Sequence, residues 1–127
     1  MPMNTEILTL CRYASNHGGH LSIIDTFDVI AASKFPWREY FYVAAKMNFS
    51  DDNENYKAIS VVITSEDCPG KVLFEALSDF VRPEGSKKLN IVAGIKGFIF
   101  EYAGNYSLNI CLDGKAVASL PFKVISE

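Results

Sequence analysis

The chain has 127 residues, of which 49% are hydrophobic and 21% are charged, and its formal net charge is −3. This apolar share can build one hydrophobic core without disulfides or a structural metal. The acidic balance argues against a phosphate-binding surface for nucleic acid, and no run approaches the roughly 18 apolar residues of a membrane span.

Alternating apolar residues predict strands in the first third of the chain. We expect a first strand over residues 6–13, then a turn over residues 15–20 around Gly18-Gly19. A second strand is predicted over residues 21–30, where the doublets Ile23-Ile24 and Val29-Ile30 break the alternation. They indicate either a bulge or a strand buried on both faces.

Period-two patterns continue through the middle of the chain, although Pro36 argues against a strand through residues 33–38. The third strand has one apolar face, made of Phe41, Val43, Ala45, Met47 and Phe49. A polar hairpin loop at residues 50–55 leads into a fourth strand with Ile59, Val61 and Ile63 inward and Lys57, Ser60 and Thr64 outward. After a turn at Cys68-Pro69-Gly70, residues 71–80 fit a helix by propensity but a strand by their setting between hairpins, and we expect a strand.

The last third has the clearest pattern. Residues 82–88 are predicted to be a loop, after which Leu89, Ile91, Ala93 and Ile95 alternate, and Gly94 and Gly97 allow a bend before Phe98 and Phe100. Asp113-Gly114 predicts a type I′ hairpin turn between two further strands. Their apolar faces are Tyr106, Leu108, Ile110 and Leu112 before the turn, and Leu120, Phe122 and Val124 after it.

Two resemblances follow from these residues. Leu89-x-Ile91 with Tyr102-x-Gly104-x-Tyr106 resembles the E-to-F strand region of immunoglobulin-like sandwiches, which implies that Tyr106 caps the sheet corner through its hydroxyl. Tyr102 stands where many such domains carry an acidic residue. Most of the chain resembles a family of small bacterial β-sandwich proteins known only as a domain of unknown function. That resemblance rests on Leu10-Cys11, residues 21–28, Phe35-Pro36, and Gly104-x-Tyr106 before Asp113-Gly114, and it implies a fold but no activity, ligand or catalytic residue.

Metal binding and catalysis find little support in the residues. His17-x-x-His20 near Cys11 has zinc-ligand types but lacks a second pair. Residues 51–55 copy the first EF-hand ligand positions, but Tyr56 and Val62 stand where glycine and glutamate are needed. The three cysteines form no Cys-His pair in the sequence. We expect Cys11 to be a small core residue, Cys68 to be the exposed thiol, and Cys111 to lie on the face opposite Ile110.

An aromatic segment is the best candidate for a partner interface: Phe35, Trp37, Arg38, Tyr40 and Tyr42. Trp37 and Arg38 are predicted in a loop, and Tyr40 and Tyr42 on the face opposite the core. Tryptophan, tyrosine and arginine dominate interface hot spots. The alternative is that these aromatics only close one end of the sandwich.

We therefore expect a single domain, residues 1–127, that is an all-β, immunoglobulin-like antiparallel β-sandwich of seven to nine strands. The odd number of cysteines and the absence of a signal-peptide pattern favour a cytoplasmic location. We expect a non-catalytic protein-binding or assembly module that contacts an unknown protein or itself, without cofactor, metal, nucleic acid or membrane. The alternatives are a small-molecule-binding sandwich and, third, an enzyme.

Overall fold

A computed structural model describes residues 3–49, 58–68, 70–79 and 88–127. Within these ranges the chain forms nine strands: β1 (Met3–His17), β2 (His20–Phe27), β3 (Val29–Ala32), β4 (Trp37–Phe49), β5 (Ala58–Ser65), β6 (Val72–Asp79), β7 (Lys88–Phe100), β8 (Gly104–Leu112) and β9 (Lys115–Ser126). Over the same residues no helix is long and apolar enough to cross a membrane.

The strands pair into two sheets. One has the order β2-β1-β4-β7 and the other the order β3-β9-β8-β5-β6. The β3–β9 pair is parallel, and the other strand pairs are antiparallel. Because β7 and β8 follow each other in the chain but belong to different sheets, the topology matches the E-to-F crossing of immunoglobulin-like domains. The predicted all-β, immunoglobulin-like sandwich is confirmed.

The core lies between the inner faces of the two sheets. Its largest fully buried side chains are Phe41, Phe100, Leu10, Ile30, Met47, Ile63, Leu108, Ile110, Leu112, Val43 and Val124. The predicted apolar face of β8 is therefore confirmed, as is that of β4 from Phe41 to Met47; the side chain of Phe49 is not among those described. Residues 72–79 form strand β6, as predicted from their setting between hairpins rather than from helix propensity.

The bend predicted around the glycines of β7 is a β-bulge. The β4–β7 register shifts between Glu39 and Phe41, opposite Lys96 and Gly97. Gly97 has φ 78°, a conformation that side chains disfavour. The bulge changes which alternate residues face inward, so that Ile95 before it and Phe100 after it are both buried.

The prediction of one continuous second strand over residues 21–30 is wrong. The chain leaves β2 at Phe27 and enters β3 at Val29, and these two strands lie in different sheets. Each doublet lies within one strand and has one more buried and one exposed member, so neither doublet marks a bulge or a strand buried on both faces. Ile30 of β3 reaches the core, while Val29 is exposed.

The first hairpin is longer than predicted and folds over the sheet. β1 continues to His17, beyond the predicted end at residue 13 and through part of the predicted turn. Ile23 packs against a small outer cluster of Cys11, Ala14, Ala44, Tyr42 and Val92. Asn90 Nδ2 donates hydrogen bonds to Asn16 Oδ1 (3.2 Å) and to the Gly19 carbonyl (3.1 Å). Because Asn90 and Val92 belong to β7, two strands from β1, residues 13–24 must cross the outer face of the four-stranded sheet. We call these residues the hairpin arm.

Three predicted features lie outside the described residues. They are the polar loop at residues 50–55 with its EF-hand-like positions, Lys57, which was predicted to face outward, and residues 82–87 of the predicted second loop.

Candidate functional site

Tyr106 caps the corner between β7 and β8. Its side chain is 4% exposed, and its hydroxyl donates a hydrogen bond to the Tyr102 carbonyl over 2.6 Å. Its ring packs edge-on against Phe100, with centroids 5.1 Å apart, and stacks on Phe122. Burial, and then the negative charge of Asp67, raises the pKa of Tyr106. The corner predicted by the immunoglobulin resemblance is therefore present.

A group of largely exposed side chains lies on the outer side of the four-stranded sheet. Its members, which we call the tyrosine patch, are Tyr13, Ile24, Arg38, Tyr40, Tyr42 and Ile99. Tyr42 is half-buried, and Ile99 also lines a cleft beside the β7–β8 corner. Tyr13 is paired across the hairpin with Ile24, and its ring meets the Tyr42 ring edge-on at 5.2 Å. Tyr40 lies two residues from Tyr42 on the same strand face and is 59% exposed. The patch therefore runs continuously from the hairpin arm along β4.

Two glycines of β7 allow the β4 side chains to lie flat on this face. A Cβ at Gly94 would sit 3.3 Å from the Tyr42 ring, and one at Gly97 would sit 3.0 Å from Arg38 Nη1. Gly94 is the direct cross-strand partner of Tyr42. With only hydrogen at these positions, the Tyr42 ring and the Arg38 stem cover the backbone of an edge strand. This contact holds part of the patch in one orientation.

Phe35 and Trp37 do not lie on the outer sheet face with Arg38, Tyr40 and Tyr42. Both are half-buried and pack against the core. Trp37 and Arg38 are the first residues of β4, so the prediction that they lie in a loop is wrong. The strand begins directly after Pro36, which lacks the backbone N–H that a ladder requires.

The Trp37 indole donates a hydrogen bond to Glu39, which also forms an ion pair with Arg12. Trp37 Nε1 donates to Glu39 Oε2 over 2.9 Å, and Arg12 Nη1 lies 2.6 Å from Glu39 Oε1. The Arg12 guanidinium also lies 4.4 Å from the centroid of the Phe27 ring. Phe35 and Trp37 therefore belong to the packing of the core and not to the patch.

A second candidate site is a cleft beside the tyrosine corner, with a cavity volume of about 280 Å³. We call it the corner cleft. It lies between the β5–β6 turn and the β7–β8 corner, and its lining includes Asp67, Cys68, Lys71, Phe100, Glu101, Tyr102 and Tyr106. Asp67 Oδ2 accepts the backbone N–H of Asn105 over 3.2 Å and lies against Gly104, where it leaves no room for a Cβ. No sequence pattern pointed to this cleft, because its two walls come from separate parts of the chain, residues 65–73 and 99–106.

The three cysteines occupy separate environments. Cys11 is fully buried, as predicted, but beneath the hairpin arm instead of between the sheets. Cys68 is exposed, as predicted, and lines the corner cleft. Cys111 lies opposite the buried Ile110, as predicted, and is half-buried on the outer face of its sheet. Burial raises the pKa of the Cys11 thiol and of the Cys111 thiol.

The two histidines face each other across the tip of the hairpin arm, and both are exposed. Cys11, the third potential ligand, is buried near the other end of the arm. Among the described residues no three side chains of the His, Cys, Asp and Glu types come together in a way that could hold a metal ion.

Solved structures similar to this chain share its fold at very low sequence identity. An alkylpurine DNA glycosylase from Pseudomonas fluorescens, solved with DNA containing an abasic site analog, aligns over 97% of this chain with a TM-score of 0.61 and 12% identity. A β-glucosidase from Listeria innocua aligns over 98% with a TM-score of 0.52 and 8% identity. This chain spans only 30% of the glycosylase and 16% of the glucosidase.

An immunoglobulin-like protein from Pseudomonas aeruginosa is similar in size. It aligns over 97% of this chain and 96% of its own length, with a TM-score of 0.45 and 10% identity. A search of the curated proteins gave no match to this sequence.

The sequence match to a protein family covers nearly the whole sandwich. Residues 6–125, from β1 to the end of β9, match the family of unknown function DUF6941. The match includes the hairpin arm, the tyrosine corner and both candidate sites. The chain therefore belongs to the DUF6941 family.

Proposed function

We propose that this chain is a non-catalytic protein-binding module whose contact surface is the tyrosine patch. The observation that carries the proposal is the exposure of Tyr13, Ile24 and Tyr40 on one sheet face, where Tyr42 links the arm to β4. Single exposed apolar residues are ordinary on protein surfaces, whereas contiguous ones mark interaction sites.

The residue types suit this role. Tyrosine offers a large contact area with only two side-chain torsions to immobilise, so its ordering costs little conformational entropy. Arginine and tyrosine are enriched among the residues that dominate binding energy. Gly94 and Gly97 pre-orient Tyr42 and Arg38, which lowers the entropy lost on binding further.

The separation of the exposed cysteine, Cys68, from both histidines also favours a binding role over catalysis. Cys68 lies near the end of β7, in the corner cleft, whereas His17 and His20 lie at the arm tip near Asn90, at the start of β7. A Cys-His pair needs its side chains within hydrogen-bond reach. The proposal therefore assigns no catalytic residue.

The edge strand β6 offers a second way to bind a protein. It pairs with β5 on one side and has no second neighbour among the described strands. Leu77 and Val72 of β6 are exposed, so an incoming extended segment would find both backbone groups and apolar side chains. This route differs from the tyrosine patch and can be tested separately.

The experiment is quantitative affinity capture from the natural host, with the wild-type chain and three variants as bait. We expect a stoichiometric partner that Tyr40→Ser loses and that the control Tyr102→Ser keeps. Tyr102 is the more exposed tyrosine but lies outside the patch. Loss with Leu77→Ser alone would assign the contact to β6. Equal recovery with all the variants would contradict both routes, as would a wild-type chain that remains a bare monomer.

A further inference from the structure

The floor of the corner cleft is apolar. Phe100 and Tyr106 lie at its base but are only 1% and 4% exposed, so the half-buried Leu73 and the exposed Ile99 and Tyr102 supply most of its apolar surface. A volume of about 280 Å³ equals the space of about nine water molecules at roughly 30 Å³ each. Ligand pockets are typically apolar with a few converging polar groups. The floor therefore suits a compact apolar group in a ligand of about ten non-hydrogen atoms.

The rim of the cleft carries charges of both signs that do not neutralise each other. Lys71, Asp67 and Glu101 all line the cavity. Within the described residues, the Lys71 ammonium and the Glu101 carboxylate have neither an ion pair nor a hydrogen bond. Asp67 uses one carboxylate oxygen to accept the Asn105 N–H and keeps the other available.

From these two features we infer that the corner cleft binds a free α-amino acid with an apolar side chain. The ligand's carboxylate pairs with Lys71, and its ammonium group pairs with Glu101 and Asp67. Its side chain packs on Leu73, Ile99 and Tyr102. A simple amine would leave Lys71 without a partner, and a fatty acid would leave both carboxylates without one. This second binding activity goes beyond the proposed protein-binding function and does not depend on it.

Calorimetric titration of the full chain tests the inference with three ligands of similar shape. L-leucine carries both charges, 4-methylpentanoic acid lacks the ammonium group, and 3-methylbutylamine lacks the carboxylate. We expect one saturable site for L-leucine and binding at least about tenfold weaker for each of the other two, because each loses a charged hydrogen-bonding group. The inference fails if L-leucine does not saturate by about 10 mM or if a single-charge ligand binds equally well.

Rim variants locate the site. Lys71→Ala and Glu101→Gln should each weaken L-leucine binding by about tenfold or more. Both side chains are exposed, so circular dichroism should report an unchanged fold. Lys115→Ala, in the distant β8–β9 hairpin, is the matched control and should bind normally. Unchanged affinity in both rim variants would overturn the assignment.

Discussion

Replacing Tyr106 by Phe should destabilise the fold, because it removes only the hydroxyl oxygen and its hydrogen bond. The ring stays in the core against Phe100, but the hydroxyl that donates to the Tyr102 carbonyl is lost. A buried hydrogen bond contributes about 0.5–1.5 kcal/mol net, and an unpaired buried acceptor costs about 1–3 kcal/mol. We expect the free energy of unfolding to fall by about 2 kcal/mol.

Urea denaturation followed by the fluorescence of Trp37, the only tryptophan, measures this loss. With an m value of about 2 kcal/mol/M, the midpoint should fall by about 1 M. Tyr102→Phe is the matched control, since it keeps the accepting carbonyl and alters only an exposed phenol, so its effect should stay within about 0.5 kcal/mol. Equal stability of the two variants would refute the assigned role of the corner.

Three further predictions concern the bulge, the arm and alkaline pH. Gly97→Ala should cost about 1–2 kcal/mol in urea denaturation, because alanine resists φ 78° and its methyl group would press on Arg38; an unchanged midpoint would argue against the bulge geometry. Asn90→Ala should raise amide hydrogen exchange in the hairpin arm, which loses two hydrogen bonds, while β8 exchange stays unchanged; an arm that stays protected would contradict the folded-over position. Burial raises the pKa values of Tyr106 and Cys11, so the unfolded chain ionises first as pH rises, and the urea midpoint should fall above about pH 9–10; a midpoint that stays constant between about pH 8 and 11 would contradict this linkage.

The candidate interface was only partly visible in the sequence. Alternation along β4 correctly assigned Tyr40 and Tyr42 to the face opposite the core, because side chains on a strand alternate whatever its neighbours are. The same segment could not reveal that Trp37 leans on the core, since this depends on Glu39 and on Arg12 from β1.

Other members of both sites come from distant parts of the chain. Ile24 and Tyr13 join the patch only because the arm returns to the sheet, where Tyr13 meets Tyr42. Lys71 and Glu101 line the same cleft only because β6 and β7 are edge strands on the same side of the sandwich. No local pattern encodes such proximity.

The sequence by itself determined the strands and their turns. Period-two apolar residues predicted β4 and β8, and Asp113-Gly114 predicted the hairpin turn, where both residues have positive φ. These features depend on neighbours within a few residues, and local sterics are enough to decide them. The tertiary structure alone decided the exchange of sheets at Asp28 and the path of the hairpin arm. Both depend on which apolar surfaces remain to be covered once the sheets have formed, and that is a property of the whole fold.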